Sequence, residues 1–359
     1  MAVFEHVDFD AHEAVYHFHD NASGLRAIVA IHSRALGPAA GGCRLWHYTD
    51  DDAALTDALR LSRGMTYKNA IAGLPFGGGK AVLLAQQGQQ KTAELFKVFG
   101  QFVESLHGRY VTAEDVGVTI GDMRVVNTHT QYVSGLPQHD NSVGGDPSPW
   151  TAQGVFLGIR SAVERKFGTD RLKGVRVAVQ GVGNVGYQLC KLLHREGAVL
   201  TVADVNNANL QCVQRDLLVE TVDPSDILSQ DVDVLAPCAL GAVLNSKSIP
   251  NIRAKIIAGA ANNQLATDQD GYELTERRIL YAPDYVINAG GIISVAREYL
   301  GGSSVDQVCA EVNLIPERLA EIYAIADNTG QPLHVIADEM ARSIVADAAC
   351  PTASLATCA

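Results

Sequence analysis

Paired cysteines are missing from this chain. The seven cysteines, at 43, 190, 212, 238, 309, 350 and 358, are odd in number and form no Cys-x-x-Cys. That excludes a zinc ribbon and suits reduced thiols, mostly small core residues. Basic charge is also scarce, with 28 Lys and Arg against 40 Asp and Glu and a formal net charge of −12. Such a surface repels phosphate backbones, so no nucleic-acid partner is expected. Without adjacent basic blocks, no anionic membrane is expected either. No apolar run approaches the roughly 20 residues that span a bilayer. Glu5, Asp8 and Asp10 precede the first basic residue, Arg26, which does not suit a signal peptide and points to the cytoplasm. Internal repeats and low-complexity tracts are absent too.

Core-forming residues, in contrast, are plentiful. Apolar residues make up 47% of the 359 and charged residues 19%, enough for two packed domains and too apolar for disorder. Residues 135–150 are dense in turn formers and read as a linker. Before it, apolar runs at 26–31, 81–84 and 110–112 predict strands, interrupted by helices at 51–68 and 92–106. After it, the alternation is regular: a helix at about 151–166, a strand at 175–179, a helix at 184–195 and a strand at 199–203. Further strands are predicted at 232–235, 255–258 and 285–287. Strand–helix alternation of this kind implies an α/β fold with a parallel sheet. Residues 307–347 read as two helices that return to the first domain, and residues 348–359, uncharged, as a frayed end.

Gly181-Val182-Gly183-Asn184-Val185-Gly186 is a Gly-x-Gly-x-x-Gly. Alone it describes many ordinary strand–turn–helix connections. Here it follows a predicted strand, opens an amphipathic segment, and precedes a second strand ending in Asp204, about 18 residues after Gly186. In a dinucleotide site Gly181 permits the tight turn, Gly183 admits the pyrophosphate, and Gly186 lets the helix pack on the sheet. Asp204 would accept hydrogen bonds from the ribose hydroxyls. No Lys or Arg lies between Asp204 and Gln214 to compensate a 2′-phosphate, so the expected cofactor is NAD rather than NADP.

Two lysines stand out. Lys68 follows Leu61 and Met65 at helical spacing, on their apolar face; it is either a snorkelling side chain or a ligand for an anion. Lys80 ends Phe76-Gly77-Gly78-Gly79-Lys80. Its glycines strip side chains from around one amine, as a closely approached ligand requires, or else make a plain turn before a strand. The run is no phosphate-binding P-loop, because Leu74 and Ala81 stand where Gly and Ser or Thr are needed. Asp115, beside Glu114, follows the run 110–112 and by itself would do as a loop cap. Together the three suit one chemistry. One ammonium pairs with a substrate carboxylate, a second lysine of lowered pKa acts as general base, and the carboxylate passes protons to an amine.

At these residues the sequence resembles the amino-acid dehydrogenases of the glutamate/leucine/phenylalanine/valine family, leucine dehydrogenases above all. The segments that carry the resemblance run from about residue 9 to about 345. They are Gly37-Pro38-Ala39-Ala40-Gly41-Gly42-Cys43-Arg44, Met65-Thr66-Tyr67-Lys68-Asn69-Ala70, Gly77-Gly78-Gly79-Lys80, Thr112-Ala113-Glu114-Asp115-Val116-Gly117, Gly259-Ala260-Ala261-Asn262-Asn263-Gln264-Leu265 and Asn288-Ala289-Gly290-Gly291. The resemblance implies an α/β substrate-binding and oligomerisation domain over 1–140, to which helices at about 330–359 return. It also implies a Rossmann-type NAD domain over 148–329, a deep cleft between the two, and a homo-oligomer between dimer and octamer. The implied reaction turns an L-amino acid, NAD+ and water into the 2-oxo acid, ammonium and NADH.

Position by position, the resemblance makes Lys68 the carboxylate-binding lysine, Lys80 the base that activates water, and Asp115 the proton shuttle. Gly41 and Gly42 would let the backbone approach the substrate, with Ala40, Ala113, Asn262 and Val295 around it. The cofactor set adds Asn184, Val185, Val205, Thr151, Cys238, Ala239, Ala260 and Asn288 to the three glycines, Asp204 and Asn262. Glutamate-specific members carry a lysine at position 40 and a serine at 295; here both residues are apolar, and a buried carboxylate without a partner is costly. Ala113-Glu114 looks like leucine enzymes, whereas Ala40 departs from their usual leucine and enlarges the pocket. Phenylalanine, or aromatic substrates generally, are the alternative. Trp150, in place of a smaller residue, and the uncharged tail depart from the family pattern as well. A non-catalytic NAD-binding protein would have lost Lys80 or Asp115, and both are present. His17 and His19, with His12 and Asp20 near, read as a polar strand face rather than a metal site.

Overall fold

The structure is a computed structural model describing residues 3–85, 91–136, 144–239 and 241–350. Two compact units divide the chain. The first takes the described residues of Met1–Gly145, Val295–Gly302 and Glu339–Ala359; the second takes Asp146–Ser294 and Ser303–Asp338.

In the first unit the order is β1 (Ala14–Asp20), β2 (Leu25–Ser33), β3 (Ala39–Trp46), α1 (Asp51–Ile71), β4 (Gly77–Leu84), α2 (Ala93–Ser105), β5 (Tyr110–Glu114) and α3 (Ile120–Asn127). The strands form one mixed sheet in the order β1-β2-β4-β3-β5, with β3 parallel to both β4 and β5. β2 is apolar on both sides because it is covered on both sides. Ala27, Val29 and Ile31 pack with Phe96, Phe99 and Val103 of α2, while Ile28 and Ala30 pack with Ala54, Ala58 and Leu59 of α1. Asp50 starts α1 by accepting from Ala53 N at 2.8 Å, and Thr92 caps α2 through Leu95 N. Trp46, at the end of β3, is 51% exposed.

The second unit runs α4 (Ser148–Phe167), β6 (Arg176–Gln180), α5 (Asn184–Arg195), β7 (Val199–Ala203), α6 (Asn207–Asp216), β8 (Glu220–Thr221), β9 (Val234–Pro237), β10 (Ile256–Ile257), α7 (Asp268–Glu276), β11 (Leu280–Tyr281), α8 (Asp284–Ile287), α9 (Gly290–Leu300), α10 (Val305–Val312), α11 (Ile315–Thr329) and α12 (Leu333–Ala349). The last turns of α9 and much of α12 belong to the first unit. Its six strands are all parallel, in the order β11-β10-β9-β6-β7-β8. Counted from β6, that is the doubly wound order of dinucleotide-binding sheets. Half-buried Trp150 lies in the first turn of α4.

Three expectations need correction. Residues 285–287 are a turn of helix, α8, and the edge strand is β11. Val286 and Ile287 are buried, so their apolar run carries no periodicity, and Pro283-Asp284 was the overlooked start signal. Residues 307–347 hold three helices, not two, because Pro316 in the first turn opens a separate α11. The thiols are not mostly core: Cys43 and Cys190 are buried, Cys212 and Cys238 half-buried, and Cys309 and Cys350 exposed. The exposed pair sits on helix surfaces and at a helix end, where a small side chain needs no burial.

Part of the predicted linker (137–143) and most of the predicted frayed end (351–359, with Cys358) lie outside the described residues. α12 is regular through Ala349. His17 and His19 lie on the exposed face of β1. His12 is buried, its Nε2 within 3.1 Å of Leu59 O and Ser62 Oγ. Among the described residues no helix is long and apolar enough to cross a membrane.

Candidate active site

The first unit brings Lys80 and Asp115 together. Parallel pairing of β3 with β4 and β5 sets Gly42 of β3 beside both. Lys80 is 6% exposed, and its Nζ donates to Asp115 Oδ2 at 2.6 Å. Arg44 Nε donates to the same oxygen at 3.1 Å, and Arg44 NH1 to Asp57 Oδ2 at 2.9 Å. The Tyr48 hydroxyl also donates to Asp57. Burial opposes ionisation of Asp115, but Lys80 and then Arg44 outweigh it and hold the carboxyl well below the usual carboxylate range. The result is a buried amine and a carboxylate in direct contact, a pair able to exchange a proton with a bound ligand. Ala40 is two residues from Gly42 on the same face of β3, Ala113 is opposite Gly42 on β5, and Val295 is buried in α9. Lys68 stands half-buried in the last turn of α1.

The glycines around this pair serve a purpose that the sequence did not disclose. A Cβ at Gly78 would lie 2.1 Å from Thr66 N, and one at Gly79 would lie 2.8 Å from the Tyr110 ring. The Gly77–79 run therefore lets α1 and Tyr110 close onto β4, and chain atoms occupy the space that a ligand was expected to need. Gly41 behaves alike, its Cβ falling 1.8 Å from Gly79 O. Gly42 differs: its nearest neighbours would be Asp115 Cβ at 2.8 Å and Lys80 Nζ at 3.4 Å, so it clears room for the ion pair itself. Tyr110 locks the layer by donating to Gly41 O at 2.7 Å. Arg44, Asp57, Tyr48 and Tyr110 were not singled out from sequence, although an arginine inside an otherwise apolar β3 was a usable signal.

In the second unit the glycine turn joins β6 to α5. Gly181 has φ +91°, and its Cβ would strike Ala239 Cβ at 2.8 Å; a Cβ at Gly186 would lie 2.0 Å from Gly181 O. Both are required by the fold. Gly183 is not, since a Cβ there meets nothing within 4 Å. It is the N-cap of α5, offers no side chain to the helix N-terminus, and leaves Asn184, Val185 and Gly186 in the first turn, as an anion site needs. Asp204, at the end of β7, accepts from Val182 N at 2.8 Å and Asn206 N at 2.7 Å. Beside it Val205 is 90% exposed.

Cys238 N donates to Gln180 O at 2.7 Å, and burial pushes its thiol up to about 12, which leaves it unreactive. Asn288 Nδ2 donates to Ala260 O and to Asn262 Oδ1, both at 3.0 Å. Its Oδ1 is buried with no hydrogen-bond partner among the described residues, an acceptor still open to a donor. Thr151 Oγ1 donates to Pro147 O at 3.1 Å and lies where a Cβ on Gly291 would fall.

Similarity to known proteins agrees with both halves. Residues 12–132 match the family model described as Glu/Leu/Phe/Val dehydrogenase, dimerisation domain. Residues 146–210 and 205–349 match that of Glutamate/Leucine/Phenylalanine/Valine dehydrogenase. The chain is 48% identical to a leucine dehydrogenase of Bacillus subtilis (strain 168), covering 95% of this chain and 93% of the relative. It is 45% identical to an L-tryptophan dehydrogenase of Nostoc punctiforme, over 97% and 96% of the two chains. The crystal structure of L-tryptophan dehydrogenase from Nostoc punctiforme superimposes with a TM-score of 0.79 at 44% identity, covering 94% of this chain and 97% of that one. A matched pair of family domains, a doubly wound second sheet and relatives of this identity over nearly full length lead to one conclusion: the chain belongs to the glutamate/leucine/phenylalanine/valine dehydrogenase family and is an oxidoreductase, an L-amino-acid dehydrogenase.

Proposed function

We propose that the protein carries out NAD-dependent, reversible oxidative deamination of an apolar L-amino acid, leucine first and valine and isoleucine after it. The observation that carries this reading is the Lys80–Asp115 pair beside Gly42, with only apolar side chains at Ala40, Ala113 and Val295. Lys68 binds the substrate carboxylate. NAD+ supplies the acceptor for the hydride that leaves Cα. Lys80 takes a proton from the water that attacks the resulting iminium carbon, and Asp115 delivers a proton to the departing amine, so ammonium leaves and the 2-oxo acid remains, with one proton released. Asn262 and Asn288 orient substrate and nicotinamide. Thr151, Val205, Cys238, Ala239 and Ala260 line the cofactor's path.

Support for NAD over NADP comes from Asp204, whose carboxylate would face a 2′-phosphate with no Lys or Arg in the following ten residues. A homo-oligomer is supported by the description of the model matching residues 12–132 as a dimerisation domain. An aromatic substrate is the second reading, favoured by the small Ala40 and by the similarity to L-tryptophan dehydrogenase.

Absorbance at 340 nm with purified protein, NAD+ and separate L-leucine, L-valine, L-phenylalanine, L-tryptophan and L-glutamate discriminates these. Leucine is expected to give the highest kcat/KM, and glutamate no rate above background. An aromatic winner would leave the mechanism intact and remove the branched-chain assignment; silence on all five would remove the enzyme's proposed substrate class. Gly183→Ala supplies a separate check on the cofactor site. A methyl there meets no protein atom, so the melting temperature should stay within about 2 °C, whereas KM for NAD+ should rise about tenfold or more as the methyl meets the pyrophosphate. An unchanged KM would show that the dinucleotide does not approach Gly183.

A further inference from the structure

One buried carboxylate stands outside the chemistry described above. Glu298, in the last turns of α9, is 7% exposed, and among the described residues no lysine, arginine or histidine pairs with it. Its two oxygens accept from consecutive amides instead: Oε2 from Gly135 N at 3.0 Å and Oε1 from Leu136 N at 2.8 Å. Gly135 has φ +80°, the left-handed turn that aims both N–H groups at one anion.

Those amides continue a segment laced to β5. Thr112 N donates to Tyr132 O at 3.0 Å, and Ser134 N and Oγ donate to Thr112 O at 2.9 and 3.2 Å. Thr112 is three residues before Asp115. The next side chain of α9, Tyr299, meets Phe76 edge-on at 5.8 Å, just before β4 and Lys80. One helical turn earlier α9 carries Val295. The 298–299 turn thus holds the strands bearing both members of the ion pair, together with the wall proposed to contact the substrate side chain.

We propose that Glu298 is a positioning residue for substrate binding: by clamping the 135–136 amides it fixes the register between Val295 and β5. This rests on the assignment of Val295 and Asp115 to the substrate site. Burial raises the Glu298 carboxyl to about 7, opposed by the Leu136 and Gly135 amides, and no charged side chain among the described residues contributes. Tyr299 beside it is itself pushed up, by burial and then by Tyr132, and stays neutral. The clamp is therefore strongest when Glu298 is ionised, above about pH 7, and slackens as a proton binds below it.

The test compares the full-length enzyme with Glu298→Gln and Glu298→Asp between pH 6 and pH 9, measuring KM for the best amino acid, KM for NAD+, kcat, and amide hydrogen exchange over 130–136. Glutamine keeps the size but sets an NH2 against one amide; aspartate keeps the charge but falls short of both. For Glu298→Gln, substrate KM should rise about tenfold at pH 9, and the ratio to wild type should shrink towards unity by pH 6. KM for NAD+ and kcat should change less than about threefold, and exchange over 130–136 should accelerate. Glu298→Asp should show a smaller rise that retains the pH dependence, and it carries the test if the glutamine variant does not fold. Faster exchange with an unchanged substrate KM, or a KM ratio flat with pH, would overturn the proposal. Failure of the underlying assignment would look different: the wild-type enzyme itself would turn over none of the amino acids.

Discussion

Lys80→Ala is expected to lower kcat about 10³-fold, within the range of roughly 10² to 10⁴ that a general base contributes. The alternative, an exposed lysine after a glycine turn, predicts almost no effect, and burial of Lys80 against Asp115 already argues against it. Because Gly183 and Asp204 belong to the other unit, NADH affinity measured by fluorescence titration should be unchanged. A kcat within tenfold of wild type would remove Lys80 from the mechanism. The same variant carries a stability signature. In the wild type, the depressed Asp115 pKa contributes stability that is fully present above the unfolded carboxylate value and is lost only as pH falls through the folded value. Without Lys80, Arg44 and the Val116 amide remain against the carboxylate, its pKa rises, and that contribution shrinks. The acid-unfolding midpoint should move to higher pH.

Gly78→Ala should strongly destabilise the first unit. Its Cβ would lie 2.1 Å from Thr66 N, 2.2 Å from Thr66 Oγ1 and 2.5 Å from Ser62 O. Two of these are backbone atoms that no rotamer change can move, so α1 must lift from β4. Overpacking costs about 1–3 kcal/mol and occasionally more, and a backbone collision at the middle of a helix–sheet contact belongs at about 3 kcal/mol. Since α1 carries Lys68 and β4 carries Lys80, KM and kcat should deteriorate together. Urea denaturation followed by far-UV circular dichroism checks the expectation. A midpoint equal to wild type would mean that α1 and β4 are not in the close contact described.

Much of this was legible in the sequence because local signals and packing agreed. β7 and α5 fall at their predicted residues, since a strand covered on both faces and an amphipathic helix behind a glycine turn each leave a periodic trace. Lys80 and Asp115 stood out by residue type, by the glycine run before Lys80 and by motif resemblance, none of which says that they touch. The support behind them was illegible. Arg44 reaches Asp115 across 71 residues of sequence and Glu298 reaches Gly135 across 163, and no periodicity encodes a pairing at such separations. What the glycines make room for was illegible for a related reason. A glycine makes room without saying for what, and at 41, 78 and 79 the occupant is the chain itself.

The chain has only two tryptophans, and Trp46 and Trp150 fall one in each unit. Trp46 is 51% exposed and Trp150, in the first turn of α4, is half-buried, so their emission maxima should differ, Trp46 being the redder. Trp46→Phe and Trp150→Phe would each leave a single fluorophore, excitable at about 295 nm. The unfolding of each half then becomes readable by its own colour within one intact polypeptide, and a spread between the two midpoints would measure how far the halves melt independently.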